Sequence, residues 1–209
     1  MLGFYNYTVI ATYLGLISGV CGIFFAFSGK PTVAILCLLF SGFLDMFDGK
    51  IAATKERTED EKRFGVQIDS LSDLICFGVL PAAIGYGLGL TEWWYIPVAC
   101  LYVLAALIRL AYFNVAEENR QKETTERRHQ YNGMPVTLVS GFLPLLCCFR
   151  SLIGTVFPYV YLGVLCCCGI LFLLAKLKVK KTGTKGLLVV AGIGALIFLA
   201  IVLLQVFKA

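Results

Sequence analysis

Charge is scarce in this sequence. Lys, Arg, Asp and Glu make up 15% of its 209 residues, and His129 is its one histidine. Soluble proteins carry about 25% charged residues. The shortage excludes a disordered chain and a coiled coil, and it argues strongly against a soluble globular domain. A single histidine also speaks against zinc, because no C-x-x-C motif lies beside it. Most of the nine cysteines fall inside apolar stretches, Cys147-Cys148 and Cys166-Cys167-Cys168 among them. They read as reduced packing or lipid-facing residues rather than a secreted disulfide scaffold. Residues 1–7 hold no Lys or Arg and no small-residue cleavage site follows, so no signal peptide is expected. Internal repeats and low-complexity segments are lacking too.

What the sequence has in abundance is apolar surface. Hydrophobic residues reach 59%, and the mean hydropathy is +0.83. About 20 apolar residues cross the hydrocarbon core of a bilayer. Seven stretches qualify, at 7–28, 31–53, 66–90, 93–116, 134–150, 155–175 and 186–207. The fifth is short. The expected fold is therefore all-α, a polytopic helical bundle of about seven transmembrane helices, within six to eight. The hydrophilic connections 54–65, 117–133 and 176–185 are too short for a second domain, so 1–209 reads as one unit.

The net charge of +5 does not point to nucleic acid, because the charges cluster between apolar runs. Their placement is topological. With 54–65 in the cytoplasm, Lys50, Lys55, Arg57, Lys62, Arg63, Arg120, Lys122, Arg127, Arg128, Lys176, Lys178, Lys180, Lys181 and Lys185 fall inside. Lys30, Arg150 and Lys208 fall outside, and Arg109 lies within a span. Fourteen against three is a decisive positive-inside bias, fitting a cytoplasmic N-terminus and an external C-terminus. The inside cations also suit anionic headgroups. Tyr5, Tyr7, Trp93, Trp94 and Tyr95 read as interfacial anchors. Gly15 with Gly19, and Ser18 with Gly22, are small-xxx-small pairs suited to close helix packing.

Against this background four carboxylates are out of place. Asp45 and Asp48 sit in SGFLDMFDGKIAA, and Asp69 and Asp73 in FGVQIDSLSDLICFG. An aspartate at the centre of a membrane helix costs about 2.5–3.5 kcal/mol on insertion scales. Spacings of three and four put each pair on one helix face, and a hairpin through 54–65 brings the two faces together. Four clustered carboxylates need cations to stay ionised. No basic residue shares these faces at that depth, so a divalent metal is the better partner. All-oxygen ligands favour Mg²⁺ or Mn²⁺, which commonly also bind substrate phosphates. Gly49, Gly65 and Ala52 keep the helix surface low beside the acids, room for a bulky nucleotide.

In order, these residues resemble the signature of the CDP-alcohol phosphatidyltransferase family, D-x-x-D-G-x-x-A-R, a spacer, then G-x-x-x-D-x-x-x-D. Here Asp45, Asp48, Gly49, Ala52, Gly65, Asp69 and Asp73 supply seven of the eight signature positions. The eighth, an arginine, is Ala53, and the spacer 54–64 is longer than usual. The segments 65–73, 76–82, 109–115 and 133–137 are similar to those of the serine-using members.

The resemblance implies an integral membrane transferase whose active site faces the cytoplasm. CDP-diacylglycerol and L-serine would give phosphatidylserine and CMP, with Mg²⁺ or Mn²⁺ as cofactor and a homodimer as the assembly. It implies that Asp45, Asp48, Asp69 and Asp73 hold metal and that Asp73 is also the catalytic base. Gly49, Ala52 and Gly65 would then border CDP-diacylglycerol. Arg109 is a candidate for the lipid diphosphate or the serine carboxylate through its fork of donors. Asn114 and Thr137 are candidate polar liners or ordinary interhelical hydrogen bonds. Three alternatives stand beside this reading. One is a sister transferase using glycerol 3-phosphate or inositol phosphate. Another is a member weakened by Ala53. The third is a divalent-cation transporter, which the confinement of the acids to two adjacent spans disfavours.

Overall fold

The computed structural model describes residue 3, residues 7–52, 54–123, 130–174 and 178–180, and isolated positions beyond 191. Six helical segments carry the fold: α1 Tyr7–Phe27, α2 Pro31–Ala52, α3 Glu59–Gly87, α4 Tyr95–Glu123, α5 Val136–Cys148 and α6 Arg150–Leu173. Five are long and apolar enough to cross a membrane: α1, α2 over Pro31–Gly49, α3, α4 over Tyr95–Asn119, and α6. This is an integral membrane protein.

Five spans among the described residues differ from the seven expected. The stretch 134–150 forms only the shorter α5, with Pro144 inside it, and does not reach spanning length. The seventh stretch, 186–207, lies outside the described residues apart from isolated positions. The third span starts at Glu59 rather than 66, so half of the supposed 54–65 connection is helix. Thr58 makes that start. Its hydroxyl accepts from the Glu61 N–H at 3.2 Å, and the Glu61 carboxylate accepts from the Thr58 N–H at 2.9 Å. This reciprocal capping box satisfies two otherwise orphaned donors. Glu59, Asp60 and Glu61 also place negative charge at the positive end of the helix.

Further along, α3 widens into a π-helical stretch, Leu74–Val79, directly after Asp73. Pro81 follows and has no N–H to give the preceding turn. Three buried tyrosine hydroxyls converge on the carbonyls here. Tyr102 donates to Phe77 at 2.8 Å, Tyr161 to Pro81 at 2.9 Å and Tyr95 to Ala82 at 2.7 Å. In a lipid-surrounded bundle a backbone acceptor has no water to fall back on. The hydroxyls therefore tie α4 and α6 to the irregular part of α3.

The helix α1 packs on α2 and α3 through its small-residue stripe. Gly15, Gly19 and Gly22 are all buried. A methyl group at Gly19 would lie 2.6 Å from the Cys76 sulfur, so the two helices meet where only glycine fits. Ser41 donates to the Gly15 carbonyl at 2.9 Å and Ser18 to the Cys37 carbonyl at 3.1 Å. Outward, large apolar side chains such as Phe24 and Leu152 face the lipid.

One feature is not helical. Gln130–Asn132 (β1) pairs antiparallel with Lys178–Lys180 (β2), Tyr131 opposite Val179. This short ribbon brings the connection after α4 and the segment after α6 to the same end of the bundle.

Candidate metal centre

The end of α2 and the middle of α3 are brought together by the connection that includes residues 54–58. Asp45 and Asp48, three residues apart, share a face of α2, and Asp69 and Asp73, four apart, share a face of α3. One carboxylate oxygen each from Asp45, Asp48 and Asp69 lies within 4.8 Å of the others. Asp73 lies beside Asp45 and completes the group. All four acids are half-buried and line one small cavity of about 10 Å³.

Three like charges at such separations repel by about 3 kcal/mol per pair at an effective dielectric constant near 20. No Lys or Arg among the described residues lines the cavity. The donor set is carboxylate oxygen with hydroxyls nearby, which suits a hard divalent cation and not a thiophilic one. The residues therefore fit the metal that the motif implies.

The rest of the wall comes from residues that the sequence pattern did not single out. Thr12 of α1 donates to Asp48 Oδ2 at 3.4 Å. Ser72 donates to the Thr12 carbonyl at 3.4 Å and the Cys76 thiol to the Gly15 carbonyl at 3.3 Å. Ser41, Ser72 and Cys76 thus line the site while bonding to α1, which locks the third wall in place. Their signal in the sequence was slight. Thr12 is the polar residue that leads the buried stripe Gly15, Gly19, Gly22.

The remaining candidates divide. At Gly49 an added methyl group would meet open space, so the surface beside Asp48 is low, as expected. At Gly65 it would lie 3.2 Å from Nη1 of Arg57, so a guanidinium occupies the room that this glycine leaves. Ala52 ends α2, but its side chain, like the whole of Ala53, lies outside the described residues.

Arg109 is not among the residues lining the acidic cavity. It is 5% exposed, its Nε donates to the Met134 carbonyl at 3.1 Å, and its guanidinium lies 5.8 Å from the Phe113 ring centre. It also packs on Gly133, whose φ of +87° makes the turn into α5. In this structure Arg109 holds that turn. Asn114 exchanges hydrogen bonds with Ser70 at 2.8 and 3.0 Å, fastening α4 to α3 next to Asp69. At Thr137 it is the carbonyl that is engaged, accepting from Ser140 at 2.7 Å.

Paired aspartates of two adjacent membrane helices thus face one another. The chain belongs to the CDP-alcohol phosphatidyltransferase family, whose sequence profile matches residues 5–167. Among curated relatives, it is 29% identical over 167 residues to the CDP-diacylglycerol–serine O-phosphatidyltransferase of Saccharomyces cerevisiae, covering 74% of this chain and 59% of the yeast protein. To the protein of the same name from Helicobacter pylori it is 32% identical over 146 residues, covering 68% and 54%. To that of Bacillus subtilis it is 29% identical over 115 residues, covering 54% and 59%. The chain thus spans less than two thirds of the length of these relatives.

Proposed function

We propose that this protein makes phosphatidylserine, transferring the phosphatidyl group of CDP-diacylglycerol to the hydroxyl of L-serine and releasing CMP. The observation that carries the proposal is the acidic cluster. Asp45, Asp48 and Asp69 converge within 4.8 Å inside a family whose relatives bear that activity in their names. The whole chain, 1–209, acts as one catalytic unit.

Asp45, Asp48 and Asp69, with Asp73 at the edge, would hold Mg²⁺ or Mn²⁺. When bound, that ion supplies charge neutralisation at the diphosphate. Thr12 keeps the Asp48 carboxylate turned into the site through its hydrogen bond. Gly49 leaves the face beside Asp48 open to the nucleotide. Asp73 accepts the proton of the serine hydroxyl as the new serine oxygen–phosphorus bond forms, and the bond from phosphorus to the CMP oxygen breaks. The buried small residues around Asp73 exclude bulk water from that step.

Asp45 and Asp48 lie near the hairpin end of α2, and Asp69 and Asp73 face them from the middle of α3. The diphosphate thus sits at the interface while the acyl chains stay in lipid. We place this end, with the basic connections, in the cytoplasm, and we take the working assembly to be a homodimer. Arg109 acts here through the α5 turn that it holds.

The test is CMP release by the purified full-length protein in CDP-diacylglycerol micelles. It is run with Mn²⁺, Mg²⁺ or chelator, and with serine, glycerol 3-phosphate or inositol phosphate as acceptor. Metal-dependent release with serine alone is expected. Release with another acceptor makes the protein a sister transferase. Silence with all three, restored by Ala53→Arg, identifies a weakened member.

A further inference from the structure

The turn between the two acidic helices and the first turn of α3 carry Lys55, Arg57, Lys62 and Arg63, and two of these are paired. Lys55 lies 3.5 Å from Glu61, and Lys62, one turn into α3, lies 2.7 Å from Glu59. Arg57 is in neither pair. It is half-buried, and its guanidinium rests against Gly65 with Nη1 3.2 Å from where a side chain would begin. Gly65 lies one helical turn before Asp69, on the same face as Asp69 and Asp73. The guanidinium thus lies against the acidic face of α3, at its outer end. It has no carboxylate partner among the described residues.

Such a placement costs solvation and side-chain freedom, and no ion pair among the described residues offsets it. The substrate that the acidic centre takes brings two phosphates into a site already crowded with carboxylates. A guanidinium at its outer edge supplies positive charge that the protein's inner wall lacks. Its planar fork matches two phosphate oxygens, which an ammonium group cannot do. Gly65 then has a second role, because a methyl group there would crowd the Arg57 guanidinium.

We propose that Arg57 is a substrate-binding residue whose guanidinium, seated on Gly65, clasps the diphosphate of the nucleotide–lipid substrate. The proposal rests on the functional reading above. It adds a contact from the connecting turn, outside the motif that carries the acids.

The experiment measures CDP-diacylglycerol binding to the full-length protein in detergent with Mn²⁺ present, together with KM for both substrates. Arg57→Ala is expected to weaken CDP-diacylglycerol binding about tenfold or more, as loss of a hydrogen-bonded charge does. KM for serine should stay at the wild-type value. Arg57→Lys should recover part of the loss, keeping charge without the fork. Lys55→Ala removes a paired charge from the same turn and should bind as wild type. Wild-type binding by Arg57→Ala, or equal loss in Arg57→Ala and Lys55→Ala, overturns the proposal alone. A wild-type protein that binds no CDP-diacylglycerol overturns the functional reading and this proposal with it. Arg57→Gln, with its thermal midpoint measured alongside, separates lost binding from lost fold.

Discussion

The four aspartates have unequal surroundings, and that inequality predicts unequal consequences. Asp45, Asp48 and Asp69 form the tight triad. Asp73 stands beside it on the turn of α3 that leads into the π-helical stretch. An asparagine at 73 keeps the shape but cannot take a proton from serine. Asp73→Asn should therefore abolish CMP release while CDP-diacylglycerol binding stays near wild type, both measured on one preparation. Equal loss of both would make Asp73 a ligand and not a base. Asp48→Asn, in contrast, replaces a charged carboxylate of the triad with a neutral amide, and should weaken Mn²⁺ binding itself.

At the scale of the element, α3 joins two helices of different character. Its first turns are polar and held by the capping box of Thr58 and Glu61, while its later turns are apolar and held by tyrosines from α4 and α6. The cap sets where the helix begins, and so the register of Gly65, Asp69 and Asp73 against α2. Thr58→Ala should cost about 1 kcal/mol, lowering the thermal midpoint by about 2–4 °C for a chain of this size. Thr58→Ser should restore it. Scanning calorimetry in detergent checks both.

At the scale of the whole molecule, the β1–β2 ribbon and the turn at 54–58 raise the question of which end faces the cytoplasm. The positive-inside count puts 54–65 inside and the turn before α4 outside. A thiol introduced at Glu92, exposed in that turn, should react with a membrane-impermeant maleimide in intact cells. One introduced at Glu56 should react only after permeabilisation. The reverse pattern would put the acidic end outside and remove the enzyme from cytoplasmic CDP-diacylglycerol.

The sequence by itself determined that the chain lives in a membrane, where most of its spans run, and which four acids break the apolar pattern. Those are local properties. Hydropathy is summed over one segment, and the faces of Asp45 with Asp48 and of Asp69 with Asp73 follow from helical spacing alone. Even the early start of α3 was legible, since Thr58-x-x-Glu61 is a capping signal, but a hydropathy window discards polar helix. The length of α5 was not, because an apolar stretch does not announce where it stops. Only the tertiary structure decided that Thr12 of a third helix closes the acidic site, that Arg109 holds a turn apart from the acidic cavity, and that Arg57 lies on Gly65. Each of these depends on which helix packs against which, through a glycine stripe and a handful of buried hydroxyls. No spacing along one segment encodes a contact between residues that only packing brings together.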